Sequence, residues 1–363
     1  MRGLQDVIWW SRVSGVVVAG AVLSATAGAG SAAAAPSSEA PSQQATLTAI
    51  STEGVLNGPT SADERCHDPK PYTDLHDCDL TFLSDTLSGK SLAGANLTGA
   101  ILTGMQLQGT ILVDANLSGA NLTGAGLYNA HLDRANLTGA NLTGTNLAGA
   151  ATLKSANLPF ANLTGANLPH ANLDHADLTD AELPALDLRT TNLNNTILKY
   201  ANLRHADLIG VGLRADLIGA DLTSALLSNV DLNGVDLTGA LLAGAHLDHA
   251  KMRETQLYHA DLTGSDLTGS DLTGSDLAGA KMTEVVLNGA TLDYTNLGYA
   301  NLTKANLSHS NLSHANLNHS DATGVDLTGA NGGDIRLDQA DLSGTIWYDG
   351  HTCAAPSPYG QCG

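Results

Sequence analysis

Residues 261–280 read DLTGSDLTGSDLTGSDLAGA, and this stretch returns to the same pattern every five residues. A period of five fits neither of the common regular structures. Positions five apart on an α-helix are rotated by about 140°, so the leucines would be spread around the helix. On a β-strand, an odd spacing would send successive leucines to opposite faces. The stretch therefore predicts a third geometry, in which each group of five residues forms one side of a coil.

The repeating unit can be centred on its leucine, at position i. Alanine or serine then falls at i−2, Asn or Asp at i−1, Thr or Ser at i+1, and often Gly at i+2. In an extended side, the leucine points inward while its two polar neighbours point outward. Glycine at i+2 suits the positive-φ position of a type II turn, which forms the corner. The residue at i−2 of the next unit also faces inward, where only a small side chain fits.

Four such sides make a coil of 20 residues, and successive coils pair along the axis at about 4.8 Å. Between Leu87 and Trp347 there is room for about 13 coils, or a rod roughly 60 Å long. One residue is inserted at AGAATLKS (148–155) and one is lost at VGLRADLIG (211–219), so the two slips cancel. We expect a bulge or a tightened corner at each slip. Ala322 and Gly332 replace the central leucine, and small voids are expected there.

The A-(N/D)-L-x-x series resembles the pentapeptide-repeat proteins. That resemblance implies an all-β fold, a right-handed quadrilateral parallel β-helix. The tail WYDGHTCAAPSPYGQC (347–362) resembles tails that follow such repeats in other exported bacterial members. We interpret this tail as a plug over the open last coil, where a bare backbone edge would invite association.

The N-terminal region has the layout of a secretory signal peptide. Arg2 and Arg12 sit in a polar opening, and an apolar run rich in small residues ends in an A-x-A pattern before Pro36. An uncleaved membrane anchor is the alternative interpretation. The predicted organisation is a signal peptide at 1–34, a flexible linker at 35–62, an N-terminal cap at 63–85, the repeat β-helix at 86–347 and a C-terminal cap at 348–363.

The four cysteines form two close pairs that flank the repeats, Cys66 with Cys78 and Cys353 with Cys362. An exported chain meets an oxidising compartment, so two local disulfides are expected, one pinning each end. Metal binding by the first pair is the alternative, because His67 and His76 are neighbours, although the spacings do not match a zinc site.

The charge and the polar residues argue against catalysis and against direct nucleic-acid binding. The chain has a net charge of −20 and therefore lacks the surplus of Lys and Arg that drives phosphate binding. This charge favours a basic partner or mimicry of a polyanion. His309, His314 and His319 fall at consecutive corners, where His tolerates positive φ. The aspartates at 261, 266, 271 and 276 lie on four different sides of one coil, so they form no calcium cage. We expect no enzyme activity, no cofactor and no metal site.

One face combines a column of hydroxyls with a column of amides and carboxylates. Such a lattice could match a polysaccharide or ice surface, although Thr and Asn also simply suit a solvated face. Pro184 and Arg204 interrupt its threonine column. The candidate binding face consists of Thr103, Asn121, Thr123, Asn141, Thr143, Asn162, Thr164, Asp261, Thr263, Asn301 and Thr303.

Three functional hypotheses follow. The first is a secreted, non-catalytic rod, a monomer with both ends capped, that presents an acidic polar surface to an unknown protein or polysaccharide partner at the cell envelope or outside the cell. The second is DNA mimicry, because some cytoplasmic pentapeptide-repeat proteins resemble B-form DNA and protect or inhibit DNA gyrase. The third is lattice binding through the Thr/Asn face. No stable membrane span is expected.

Overall fold

The computed structural model describes residues 64–354 and residue 362 of the chain. The predicted signal peptide and linker lie outside the described residues. Within the described part, none of the helices is long and apolar enough to cross a membrane.

Among the described residues, helical structure is confined to two short 3₁₀ helices, Glu64–His67 and Thr81–Leu83. Most of the remaining described chain pairs through isolated parallel β-bridges, usually one on each side of a coil. Asp261, for example, pairs with Leu241 in the preceding coil and with Lys281 in the following one. A five-residue side is too short for a longer strand, because the corner takes the remaining residues.

The corners are the turns that the sequence predicts. The Leu97 carbonyl accepts a hydrogen bond from the Ala100 N–H at 3.0 Å, and Gly99 between them has a φ of +67°. Positive φ at the third residue alone is the mark of a type II turn. Glycine is favoured there because it has no Cβ to crowd the backbone.

The bridges form four ladders, and each ladder defines one face of the β-helix. Face A runs from Asp79 to Asp341, face B from Gln106 to Ile346, face C from Ser91 to Asn331 and face D from Asp74 to Arg336. Most paired residues are 20 apart, as the sequence predicts. The separation becomes 21 at pairs such as Asn141 with Asn162, across the inserted residue, and 19 at pairs such as Asn202 with Asp221, across the lost residue.

The core is a column of leucines with small residues between them. Leucines at position i, such as Leu262 and Leu267, are fully buried, and so are most of the alanines at i−2. Threonine also occurs at i−2, because its hydroxyl can donate to a backbone carbonyl inside the coil stack. Thr255 donates to the Leu232 carbonyl at 2.9 Å and Thr295 to the Leu272 carbonyl at 2.9 Å.

Both predicted disulfides are formed, Cys66 with Cys78 and Cys353 with Cys362. The first cysteine pair is thus bonded internally and does not form the alternative metal site. Within the predicted N-terminal cap, Asp74 already pairs with Asn96, and Leu75 and Leu80 are fully buried.

The chain folds back over the last coil at the C-terminal end. Thr352 pairs antiparallel with Ile346. The Gly344 N–H donates to the Cys353 carbonyl at 3.0 Å, and the Cys353 N–H donates to the Thr345 carbonyl at 2.8 Å. These bonds satisfy backbone groups that have no further coil to pair with.

The void expected at Gly332 is absent. The ring of Tyr348 occupies the space where an inward side chain on Gly332 would lie. The sequence interpretation was wrong here because it treated each unit by itself, whereas a residue of the tail supplies the missing side chain.

Candidate functional site

On the candidate binding face, which is part of face A, the polar residues bond to each other within each unit. The Asn141 side-chain Oδ1 accepts the backbone N–H of Thr143 at 3.1 Å and its hydroxyl at 2.6 Å. The same pair of bonds forms at Asn121 with Thr123 and at Asn301 with Thr303. An Asx side chain that bonds to the backbone two residues on stabilises a turn. The Asn/Asp-Leu-Thr pattern thus has a structural role at the corner.

The structure brings the candidate face residues together as two patches. The first patch contains Asn121, Thr123, Asn141, Thr143, Asn162 and Thr164 in three consecutive coils, and the second contains Asp261, Thr263, Asn301 and Thr303. Thr103 lies at the edge of the first patch, next to the exposed Ile101. Glu182, Pro184, Arg204, Leu241 and Ala243 occupy the same two columns between the patches. The hydroxyl and amide lattice is therefore interrupted for several coils.

The three successive histidines do not converge, because each lies at a different corner with positive φ, 58° at His309 and His314 and 61° at His319. His309 lies over Gly329 in the next coil. The other two rings stack on tyrosines of the preceding coil, at centroid distances of 4.3 Å for Tyr294–His314 and 4.7 Å for Tyr299–His319.

Aromatic rings at the corners follow a rule that the sequence analysis missed. A ring at one corner lies over the corresponding corner of the next coil, and that position is glycine in several cases. The pairs are Tyr72 over Gly94, Tyr200 over Gly219, His249 over Gly269, His259 over Gly279 and His309 over Gly329. A search for glycine one coil after each corner aromatic would have found this relationship.

The four aspartates of residues 261–280 lie on four separate ladders, as predicted. Charge pairing runs along the axis instead. Lys281 Nζ lies 3.6 Å from Asp261, and Lys251 Nζ lies 3.9 Å from Asp231. The Asp271 carboxylate pairs with Arg253 in the preceding coil. In-register pairing of this kind places cations next to carboxylates of neighbouring coils.

Many carboxylates have no cation within ion-pair distance among the described residues. They accept only hydrogen bonds from neighbouring hydroxyl, amide or backbone groups. This set includes Asp177, Asp236, Asp248, Asp266, Asp276 and Asp326 on faces B and D, and Asp79, Asp321 and Asp341 on face A. Negative charge that no neighbouring cation neutralises is therefore found on faces A, B and D.

A polar groove opens on face C where the chain loses one residue. No bridge in the described chain joins Asn192 to Gly212, so the ladder is interrupted there. The groove has a volume of about 930 Å³ and is lined by Asp174, Asn192, Asn194, Asn195, Gly212, Arg214, Ala215, Asp216, Asp231, Asn233, Gly234, Val235 and Asp236. The sequence predicted a bulge or a tightened corner at this slip, and not a groove. The signal in the sequence for such a groove was Gly212, a residue at a bridge position that has no side chain.

Within the described residues, one group of potential metal ligands comes close together, His351 with Cys353 and Cys362. The two sulfur atoms are bonded to each other there, so they are not available as thiolate ligands in this form.

Solved structures of pentapeptide-repeat proteins are similar to this chain. HetL from the cyanobacterium Nostoc sp., described as involved in heterocyst differentiation regulation, is 29% identical over 71% of this chain and 91% of its own, with a TM-score of 0.22. A protein of the Arabidopsis thaliana thylakoid lumen is 23% identical over 32% of this chain and 85% of its own, with a TM-score of 0.22. Full-length QnrB1, described as a plasmid-mediated fluoroquinolone resistance protein, is 16% identical over 69% of this chain and 91% of its own, with a TM-score of 0.18.

None of the curated protein sequences matches the chain. The sequence profile described as "Pentapeptide repeats" matches residues 86–112, 115–183 and 187–344. The matched residues make up most of the chain, and they coincide with the four ladders of the structure. The chain therefore belongs to the pentapeptide-repeat family.

Proposed function

We propose that the chain is an exported, non-catalytic binding protein whose acidic β-helix surface engages a basic partner. Members of its family are generally structural or interaction proteins. The observation that carries the proposal is the set of carboxylates on faces A, B and D that have no neighbouring cation. Charges of one sign along a surface attract partners of opposite charge and accelerate their association.

The binding test can remove charge while keeping the turns. Asparagine accepts the same hydrogen bonds as aspartate, and Asn already occupies this position in units such as Asn121–Thr123. The fourfold variant Asp236→Asn, Asp266→Asn, Asp276→Asn and Asp326→Asn is therefore expected to fold like the parent. We expect the parent to bind a Lys/Arg-rich peptide in a salt-dependent manner, and the variant to bind it at least tenfold more weakly. Equal binding by parent and variant, or no binding by either, would refute this proposal.

The export part of the proposal rests on the predicted signal peptide and on the two disulfides, which are typical of oxidising compartments. The native protein should be found outside the cytoplasmic membrane with a mass that begins near Ala35. It should gain the mass of four hydrogens on reduction. A full-length, fully reduced protein in the cytoplasm would contradict export.

DNA mimicry is the second candidate, and the acidic β-helix favours it as well. It predicts inhibition of purified DNA gyrase by the mature chain at low micromolar concentration. The fourfold Asp→Asn variant should lose that inhibition. Absence of inhibition by the parent would exclude this candidate without affecting the binding of basic peptides.

Lattice binding is supported by the three consecutive coils of the first Asn/Thr patch. Replacing Thr123, Thr143 and Thr164 with lysine should abolish adsorption to a polysaccharide or to ice while leaving thermal stability nearly intact. Unchanged adsorption would refute the hypothesis. We also propose that the mature chain is a monomer, and light scattering that shows a stable dimer would contradict this.

A further inference from the structure

A carboxylate, an imidazole and a sulfur atom are aligned in the C-terminal tail. The Asp349 Oδ1 atom contacts the Nδ1 atom of His351, and the Nε2 atom of the same ring lies 3.1 Å from the Sγ atom of Cys362. Asp349 also accepts the backbone N–H of His351 at 3.2 Å. Hydrogen bonds from this N–H and from the imidazole hold the pKa of Asp349 below its ordinary value.

The alignment fixes the state of the histidine ring. A carboxylate at Nδ1 orients the imidazole and favours a proton on that nitrogen, which leaves Nε2 as the unprotonated nitrogen. Nε2 then faces the sulfur as a base. When Cys362 is reduced, its thiol proton can pass to Nε2, which leaves a thiolate beside an imidazolium. Neighbouring cations of this kind lower the pKa of cysteine from about 8.5 to about 3.5–7.5.

The two sulfur atoms differ in accessibility. Cys353 is only 2% exposed, because it is held by backbone bonds to the last coil. Cys362 is more exposed than Cys353. A reactive cysteine that solvent can reach, bonded to a buried one that can resolve a mixed disulfide, is the arrangement that thiol–disulfide exchange requires.

We propose that Cys353–Cys362, with His351 and Asp349, is a thiol–disulfide exchange site for a partner that carries a pair of thiols. The Nε2 atom of His351 accepts the proton of the partner's first thiol, and the resulting thiolate attacks Cys362 Sγ. The Cys353–Cys362 bond breaks, and the Cys353 sulfur leaves as a thiolate. The imidazolium of His351 then gives its proton to that thiolate, because a ring nitrogen lies within 4.8 Å of the Sγ atom of Cys353.

The second step completes the exchange. The partner's second thiol gives its proton to His351, and the resulting thiolate attacks the partner's own sulfur in the mixed disulfide. The Cys362 thiolate leaves and is stabilised by the imidazolium of His351. Two electrons and two protons have then moved from the partner dithiol to the disulfide of this chain. The reverse sequence lets the reduced chain reduce a partner disulfide, again through Cys362.

The other disulfide of the chain is a natural control. Cys66 and Cys78 are 9% and 2% exposed. The imidazole of the neighbouring His76 contacts the Asp74 carboxylate at 2.8 Å and also contacts Arg65. No contact between this ring and a sulfur atom is found among the described residues. This bond should therefore behave as an ordinary structural disulfide.

The decisive experiment measures the pH dependence of alkylation of each cysteine in the reduced full chain, with iodoacetamide and peptide mass spectrometry. We expect Cys362 to titrate at least one pH unit below about 8.5, and H351Q to return it to that value. D349N should give an intermediate value. In the oxidised chain at pH 7, reduced glutathione should open Cys353–Cys362 at least tenfold faster than Cys66–Cys78, and H351Q should abolish most of that difference.

A cysteine variant tests the order of attack. In C353S, oxidised glutathione should form a mixed disulfide at Cys362 rapidly, and H351Q should slow the reaction in that background. His351 is exposed, so its replacement should leave the thermal midpoint unchanged, which distinguishes lost reactivity from lost folding. An ordinary Cys362 titration that is identical in parent and H351Q, or equal opening rates for the two disulfides, would overturn the inference. These readouts do not depend on the binding partner proposed above.

Discussion

The hydroxyl end of the Tyr348 ring occupies the space that a Cβ atom on Gly332 would need. Gly332 stands at a position that leucine fills in most other units, so the core column would otherwise be incomplete near its end. Tyr348 closes the gap from the tail. Its hydroxyl is buried with no hydrogen-bond partner among the described residues, and burial raises its pKa.

Truncating Tyr348 should therefore destabilise the C-terminal coils. We expect Tyr348→Ala to lower the free energy of unfolding of this end by about 2–3 kcal/mol, because it removes an aromatic side chain and leaves a cavity. Tyr348→Phe should be neutral or stabilising, because it removes a buried hydroxyl that lacks a partner. Hydrogen exchange of the amides between 325 and 346 measures both effects.

A second substitution checks that the ring acts by filling the gap. Gly332→Leu should restore part of the lost stability in the Tyr348→Ala background, whereas it should destabilise the parent by a clash with the tyrosine. If Gly332→Leu has the same effect in both backgrounds, the two residues do not share the space.

Two glycines with the same local sequence separate backbone strain from ring packing. Gly264 and Gly269 both follow Asp-Leu-Thr and precede Ser, with φ values of +63° and +66°. A Cβ at Gly264 would meet nothing within 4 Å, whereas a Cβ at Gly269 would lie 2.7 Å from the Nδ1 atom of His249. Gly264→Ala should cost about 1 kcal/mol from the left-handed conformation alone.

Gly269→Ala should cost more than Gly264→Ala, because the imidazole of His249 must also move. Urea unfolding of the two variants gives the comparison. Adding His249→Ala should reduce the cost of Gly269→Ala to that of Gly264→Ala. Equal losses of stability in the two single variants would show that the His249 ring moves aside at no energetic cost.

The Asx side chains at i−1 should contribute to stability through the turn and not through their charge or amide group. Asn141→Ala removes the acceptor for both the N–H and the hydroxyl of Thr143, and it should cost about 1 kcal/mol. Asn141→Asp keeps the acceptor and should be nearly neutral. Thermal unfolding of both variants measures this. A similar loss in both would indicate that the amide group itself is required.

Acid should weaken the coil stack. Partial burial raises the pKa of Asp271, but hydrogen bonds from the Thr273 hydroxyl, from Arg253 and from the Thr273 N–H outweigh this effect, so the pKa is lowered overall. A carboxyl with a lower pKa in the folded chain stabilises it above about pH 4, the value in the unfolded chain, and this contribution is lost as the pH falls through the folded value. Asp261 and Asp321 behave in the same way.

The measurement is circular dichroism between pH 7 and pH 2. We expect stability to be nearly constant down to about pH 4 and to fall below it. Thr273→Val removes one of the stabilising hydrogen bonds and should move the acid unfolding midpoint to higher pH. A midpoint unaffected by this change would contradict a role for the Asx–Thr pair in acid stability.

The N-terminal disulfide should stabilise the first coil locally. Cys66 and Cys78 close a loop with a separation of 12 residues, which corresponds to about 2–3 kcal/mol against unfolding of that end. Replacing both cysteines with serine should increase hydrogen exchange between 74 and 101 while leaving the coils beyond 250 unchanged. Equal loss of protection along the whole chain would indicate that unfolding is not local.

Most of the fold follows from the sequence because the repeat is local. Position i in each unit sees the same neighbours, so the inward leucines, the positive-φ corners and even the compensating slips near 150 and 214 can be deduced from spacing alone. The same reasoning places the Asn/Thr columns on one face. It also accounts for the histidines, since residues 20 apart must stack and residues five apart must diverge.

What the sequence did not reveal depends on residues outside the repeating frame. Tyr348 fills the space at Gly332 from the tail, where no period applies. The groove beside Asn192 and Gly212 arises from an unpaired stretch of ladder. The contact between His351 and Cys362 joins two residues whose spacing matches no known motif, and only the folded tail brings them together.

The length of the β-helix is adjustable in whole coils, because the two slips cancel and the faces keep the same alignment beyond them. Each coil pairs only with its two neighbours, so a block of 20 residues could be removed or duplicated on either side of the region between the slips without disturbing the remaining ladders. Every surface would keep its alignment, and the distance between the two disulfides would change by one step of about 4.8 Å. Insertion or deletion of whole 20-residue coils would thus change the length of the β-helix in fixed steps while both ends stay the same.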